Sequence, residues 1–111
     1  MLDSLRELTG GNAERMQLYA NMFLEEISSY LPKMKEAFTD GRMNDLKNIV
    51  HTCKSLLQTM GFDVAYKQAQ KLELMIIDKA YADELNDGYY LFIKQLNDCM
   101  QEVKDNLNEL G

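Results

Sequence analysis

The sequence holds a single histidine, His51, and two cysteines, Cys53 and Cys99. One histidine excludes a multi-histidine metal site and a bis-histidine haem. The cysteines lie 46 residues apart with no CxxC pair, so neither a disulfide framework nor a thiol redox motif is expected. Cys53 falls on an apolar stripe and His51 on a polar one, which argues against a Cys/His nucleophile pair. Cys99 likewise reads as core. The chemistry therefore rests on an imidazole and its neighbours.

Asn44, Lys47, Asn48, His51, Lys54, Ser55 and Gln58 recur at spacings of three and four, one face of a helix. His51 stands about 100° from the apolar Val50 around that helix. Lys54 is one turn further on, and helical side chains lean toward the N-terminus, so its ammonium is expected to reach back over His51. Ser55 is small and leaves the space above the ring open. The stretch from Arg42 to Met60 holds three cations and one anion, a net of +2, and the rest of the chain carries −8. An ammonium beside an imidazole favours the neutral, nucleophilic ring. It would also stabilise a dianionic group attached to that ring. No general base, metal-ligand cluster or phosphate-binding glycine loop accompanies this nucleophile. Such a set suits a covalent carrier whose partner supplies the catalytic machinery.

The elements that must position these residues are legible from apolar spacing. Leu2 to Thr9 is a short helix that Asp3 or Ser4 could cap and Gly10-Gly11 ends. Asn12 caps a long segment to about Thr39, with Met16, Ala20, Phe23, Ile27, Leu31, Met34 and Phe38 as its seam. Pro32 is expected to bend that helix near Ser28 or split it there. After Asp40-Gly41, Leu46, Val50, Cys53, Leu57 and Met60 form the next seam, and Gly61 closes it. Asp63 is expected to cap a further helix to about Lys79, with Ala65, Ala69, Leu72 and Ile76 inward. Asp83 to Gly88 shows no strong helix start. Beyond it Leu85, Tyr89, Phe92, Leu96, Cys99, Val103 and Leu110 continue to the C-terminus. The expectation is an all-α fold, an antiparallel up-down-up-down four-helix bundle with a short additional N-terminal helix, and residues 1–111 as one domain. The eight methionines suit irregular gaps in such a core.

Length, charge and breakers agree with this reading. The chain has 111 residues, a net charge of −6, six glycines and one proline. An acidic chain with no basic run is a poor ligand for nucleic acid or an anionic membrane surface. It has no apolar run of the ~18 residues that a membrane span needs, and its opening lacks a signal-peptide core. A cytoplasmic monomer is expected.

The run His51-Thr52-Cys53-Lys54-Ser55, with Gly61 ten residues after the histidine, resembles the histidine-containing phosphotransfer (HPt) domain. That family's pattern is H-x-x-K-G. Gly61-Phe62 and Lys71-Leu72-Glu73 fit its continuation into the next helix. The opening Leu5-Arg6-Glu7-Leu8-Thr9-Gly10-Gly11-Asn12, then Phe23-Leu24-Glu25-Glu26, is similar to HPt domains at the C-terminus of hybrid sensor kinases.

The resemblance implies a phosphorelay intermediate. His51 would accept a phosphoryl group on Nε2 from a receiver-domain aspartate and pass it to another receiver. Lys54 would steady that group. Glu73 would hydrogen-bond the other ring nitrogen, with Gln70, a turn earlier, as the runner-up. Ser55 replaces the usual glycine; its hydroxyl could donate to a phosphoryl oxygen, and it narrows the receiver's approach. Lys47, Gln58 and Gly61 are assigned to the partner surface, joined by exposed parts of the first helix and the start of the second. No cofactor of its own and no autonomous kinase activity are implied. Mg²⁺ is expected in the partner receiver. Partners are response-regulator receivers and, where the domain is cut from a hybrid sensor kinase, that kinase in the same chain. Two other readings compete: a docking module that binds receivers without transfer, and a haem bundle ligated by His51 and a methionine. The second needs His51 to point inward, against its polar stripe.

Overall fold

A computed structural model describes residues 1–109 and the backbone of residue 110. The expected seam position Leu110 lies outside the described side chains. Five helices follow one another: α1 (Leu2–Thr9), α2 (Ala13–Thr39), α3 (Met43–Thr59), α4 (Asp63–Ile77) and α5 (Ala82–Leu110). No strand is present among the described residues.

The four long helices close a ring, α2 against α3, α3 against α4, α4 against α5 and α5 against α2, while α1 packs on α2. Aromatic contacts fix the directions. Phe38 at the end of α2 stacks on Tyr89 near the start of α5, with ring centroids 3.9 Å apart. Phe23 in the first half of α2 meets Phe62 in the α3–α4 link at 5.5 Å. The antiparallel up-down-up-down order follows. At ~1.5 Å per residue, α5 accounts for the 45 Å long axis of the molecule.

The seams form the core. Phe23, Ile27, Met34, Leu46, Val50, Leu57, Leu72, Phe92, Leu96 and Val103 have 2% exposure or less. Met16, Met34 and Met60 are buried with them, whereas Met22 stays largely exposed. Burying these apolar faces against one another, at roughly 25 cal/mol per Å² removed from water, holds the helices together.

Local signals set the links, with four departures from expectation. Asn12 caps α2 as expected, its side chain accepting from the Arg15 N–H at 3.0 Å. Asp63 does not cap α4: Phe62 holds the N-cap position without a side-chain hydrogen bond, and Asp63 lies in the first turn, where its charge suits the helix dipole. Likewise Met1, not Asp3 or Ser4, precedes α1, with no side-chain cap. Pro32 does not split α2, which is helical from Ala13 to Thr39. The α5 helix starts at Ala82, so the stretch from Asp83 to Gly88 is helical after all. Packing explains the last case: Gly88 is buried where α4 crosses, and a Cβ there would come within 2.9 Å of Met75 Sδ. The Gln68 amide donates to the Gly88 carbonyl at 3.1 Å and locks the crossing. Tertiary contact overrides a weak local start.

Gly61 bears on the site because it turns α3 into α4. Its φ is +76°, and a Cβ there would overlap Ser4 Oγ of α1. Gly61→Ala is expected to destabilise the bundle by about 2 kcal/mol through left-handed strain and displacement of α1. Urea unfolding followed by circular dichroism checks this.

Candidate functional site

The buried seam of α3 orients the site. Leu46, Val50, Cys53 and Leu57 are fully buried, and that fixes the rotation of the helix. His51 then points away from the core, with its side chain 65% exposed. Asn48, Ser55 and Gln58 share the open face, as does Asn44. Lys47 is half-buried a turn earlier and lines a cavity with Met43, Met75 and Ile76 rather than the space around the imidazole.

The second half of the site comes from α4. Ala65, Ala69 and Leu72 are buried, which turns the next residue, Glu73, toward α3. Its side chain is only 14% exposed, an uncommon position for a carboxylate without partners. It has two. Glu73 Oε2 lies 3.3 Å from His51 Nδ1, and Glu73 Oε1 lies 3.1 Å from Lys54 Nζ. The Lys54 contact is an ion pair, and the buried Oε1 accepts no hydrogen bond. Lys54 is itself withdrawn, with 19% of its side chain exposed.

Two chemical consequences follow. An ionised carboxylate only accepts, so its contact with Nδ1 suits the tautomer that carries the ring proton there and keeps the lone pair on Nε2. An exposed ring with that tautomer presents Nε2 as a nucleophile without a prior proton transfer. Lys54 adds a positive charge, but Glu73 is its direct partner. The ammonium is thus anchored to the same carboxylate that touches the imidazole, rather than lying over the ring alone.

Gln70 is used differently. Its Nε2 donates to the Tyr66 hydroxyl at 3.3 Å, while Glu73 takes the position at Nδ1. Tyr66 in turn faces Lys54, whose Nζ is 6.0 Å from the ring centroid. The pattern around His51 does not point to Tyr66, yet the sequence carries a signal for it: Tyr66, Gln70 and Glu73 are spaced by four and three, one stripe of α4 against α3.

The thiols take no part in this arrangement. Cys53 and Cys99 are buried and unpaired with each other. Desolvation pushes the Cys53 thiol up to about 12 and Cys99 to about 11, so both stay protonated and unreactive at neutral pH. Among the described residues no cluster of His, Cys, Asp and Glu could hold a metal ion.

An exposed histidine on the second helix of a four-helix bundle, paired through Nδ1 and flanked by a lysine one turn on, is a distinctive constellation. Residues 19–109 match the family model of the Hpt domain. The chain belongs to the Hpt family. Members of that family carry out histidine phosphotransfer in two-component signalling and interact with receiver domains. The match covers the bundle helices from within α2 onward, so α1 lies outside it. No characterised protein and no solved structure gives a significant match. No described helix of this Hpt domain is long and apolar enough to cross a membrane. Its one histidine is His51.

Proposed function

We propose that His51 is the phosphoryl carrier of a phosphorelay, loaded at Nε2 by an aspartyl phosphate of one receiver domain and unloaded onto the aspartate of another. The Nε2 lone pair attacks phosphorus. The bond from phosphorus to the aspartyl oxygen breaks, and the carboxylate leaves with that electron pair. No proton leaves Nε2, because none is there. The ring gains positive charge as the N–P bond forms, and Nδ1–H holds it against the Glu73 carboxylate. An acidic residue behind a catalytic histidine does the same elsewhere: it fixes the tautomer and stabilises the cation. Lys54 supplies positive charge for the phosphoryl oxygens, and Ser55 leaves room for them. Mg²⁺ bound by the receiver balances the remaining charge.

The observation that carries this reading is the 3.3 Å contact between His51 Nδ1 and Glu73 Oε2 beneath an exposed ring. The same exposure counts against an axial haem ligand, which would have to point inward. The partner face extends to Gln58 and the turn at Gly61. Exposed Leu8, Leu18 and Met22 on α1 and α2 offer apolar surface for a receiver. Lys47 contributes charge that attracts an acidic partner.

Incubation with a phosphorylated receiver and Mg²⁺ tests the reading. The protein should gain one phosphoryl group that is lost in acid and kept in alkali, and mass spectrometry should place it on His51. Acid-stable label, or label on another residue, would sink the proposal.

A further inference from the structure

Lys54 poses a problem that its assigned role does not solve. A lysine carries a compact charge on a flexible four-carbon stem, and nothing intrinsic holds it in one place. Here its side chain is withdrawn from solvent and its ammonium has two neighbours. One is Glu73 Oε1 at 3.1 Å. The other is the ring of half-buried Tyr66, with its centroid 6.0 Å from Nζ. The negative face of an aromatic ring attracts a cation at this range. Tyr66 is tied down as well, since the Gln70 amide donates to its hydroxyl at 3.3 Å. The contacts therefore run without a break from Gln70 to Tyr66, Lys54, Glu73 and His51.

We propose that Tyr66 is a positioning residue for phosphotransfer: with Gln70 behind it, its ring and the Glu73 carboxylate hold the Lys54 ammonium where the phosphoryl group on His51 will need it. This inference rests on the reading of Lys54 as the phosphoryl-stabilising cation. Two directions around the ammonium are taken by the ring and the carboxylate, and the remaining N–H bonds are left for phosphoryl oxygens. Without the ring, the ammonium follows Glu73 alone and spends less time near the phosphoryl group. Tyr66→Leu removes the ring. Tyr66→Phe keeps the ring and removes only the tether to Gln70.

The test uses potassium phosphoramidate as the phosphoryl donor, which makes the result independent of any receiver. Its P–N bond breaks, ammonia leaves, and the N–P bond to His51 forms. The half-life of phosphohistidine is followed by phosphorus NMR in the wild type, Tyr66→Phe, Tyr66→Leu, Lys54→Met and the Tyr66→Leu/Lys54→Met double variant. Thermal unfolding of each variant establishes that the bundle is intact. Tyr66→Leu should shorten the half-life by about three- to tenfold, the size of one cation–π contact, and Tyr66→Phe by less. The double variant should match Lys54→Met, because the ring acts only through the ammonium. A half-life unchanged by Tyr66→Leu, beside a shortened one in Lys54→Met, would overturn the role of Tyr66 and leave that of Lys54 standing. Full additivity in the double variant would do the same. An unchanged half-life in Lys54→Met would remove the basis of both.

Discussion

His51→Gln should take up no phosphoryl group from a phosphorylated receiver, a loss of about 10⁴-fold or more, as expected when a sole nucleophile is removed. The glutamine amide has no nucleophilic lone pair on nitrogen, so the chemistry has no substitute. The fold should survive. The His51 side chain is 65% exposed, and surface substitutions of this kind usually stay within about 0.5 kcal/mol. Receiver binding should also persist, since the apolar and charged residues around the site are untouched. Stopped-flow transfer with radiolabelled receiver, alongside a binding titration of the same variant, separates the two properties. Retained binding with lost transfer identifies His51 as the carrier. Normal uptake by His51→Gln would move the modification site elsewhere in the chain.

The exposed position of His51 is legible in the sequence for a physical reason. Its apolar neighbours Leu46, Val50, Cys53 and Leu57 are spaced so regularly that the rotation of α3 follows from sequence alone, and all four are fully buried. The seams of α2 and most of α4 are legible in the same way. Local pattern is silent where stability comes from another element. The sequence at the start of α5 shows no strong cap, and there Gly88 packs against Met75 and its carbonyl accepts from Gln68. No local rule could supply that crossing. The neighbours of the imidazole were legible only in part for the same reason. Spacing within α3 names Lys54 but cannot say that its ammonium pairs with a carboxylate on α4. Within α4, Gln70 and Glu73 are a turn apart, and periodicity alone does not rank them. The register of α4 against α3 brings Glu73 to the ring and Gln70 to Tyr66. Contacts between helices depend on interhelical register, which no single seam encodes.

That register makes Glu73 the second residue whose loss should be severe. Glu73→Ala removes the acceptor at Nδ1, so the ring proton is free to occupy Nε2 and block the attack. It also strands the Lys54 ammonium, which is 19% exposed and has Glu73 as its ion-pair partner. Loss of the partner that orients a metal-ligating histidine typically costs 10–100-fold, and transfer by Glu73→Ala should fall by at least about that much. Stability should fall by about 1 kcal/mol, less than for a fully buried pair, because solvent reaches both side chains. Glu73→Gln separates the two effects. Its amide oxygen can still accept from Nδ1–H, so the tautomer survives, and only the charge is lost. That variant should transfer within about tenfold of wild type. Nitrogen NMR of the imidazole reads the tautomer directly: Nδ1–H should dominate in the wild type and in Glu73→Gln, and Nε2–H should gain in Glu73→Ala. Equal transfer rates for Glu73→Ala and the wild type, with the tautomer unchanged, would show that the carboxylate serves the ion pair with Lys54 and not the imidazole. A fall in rate that tracks the tautomer would instead tie the nucleophilicity of His51 to a residue 22 positions away on the neighbouring helix.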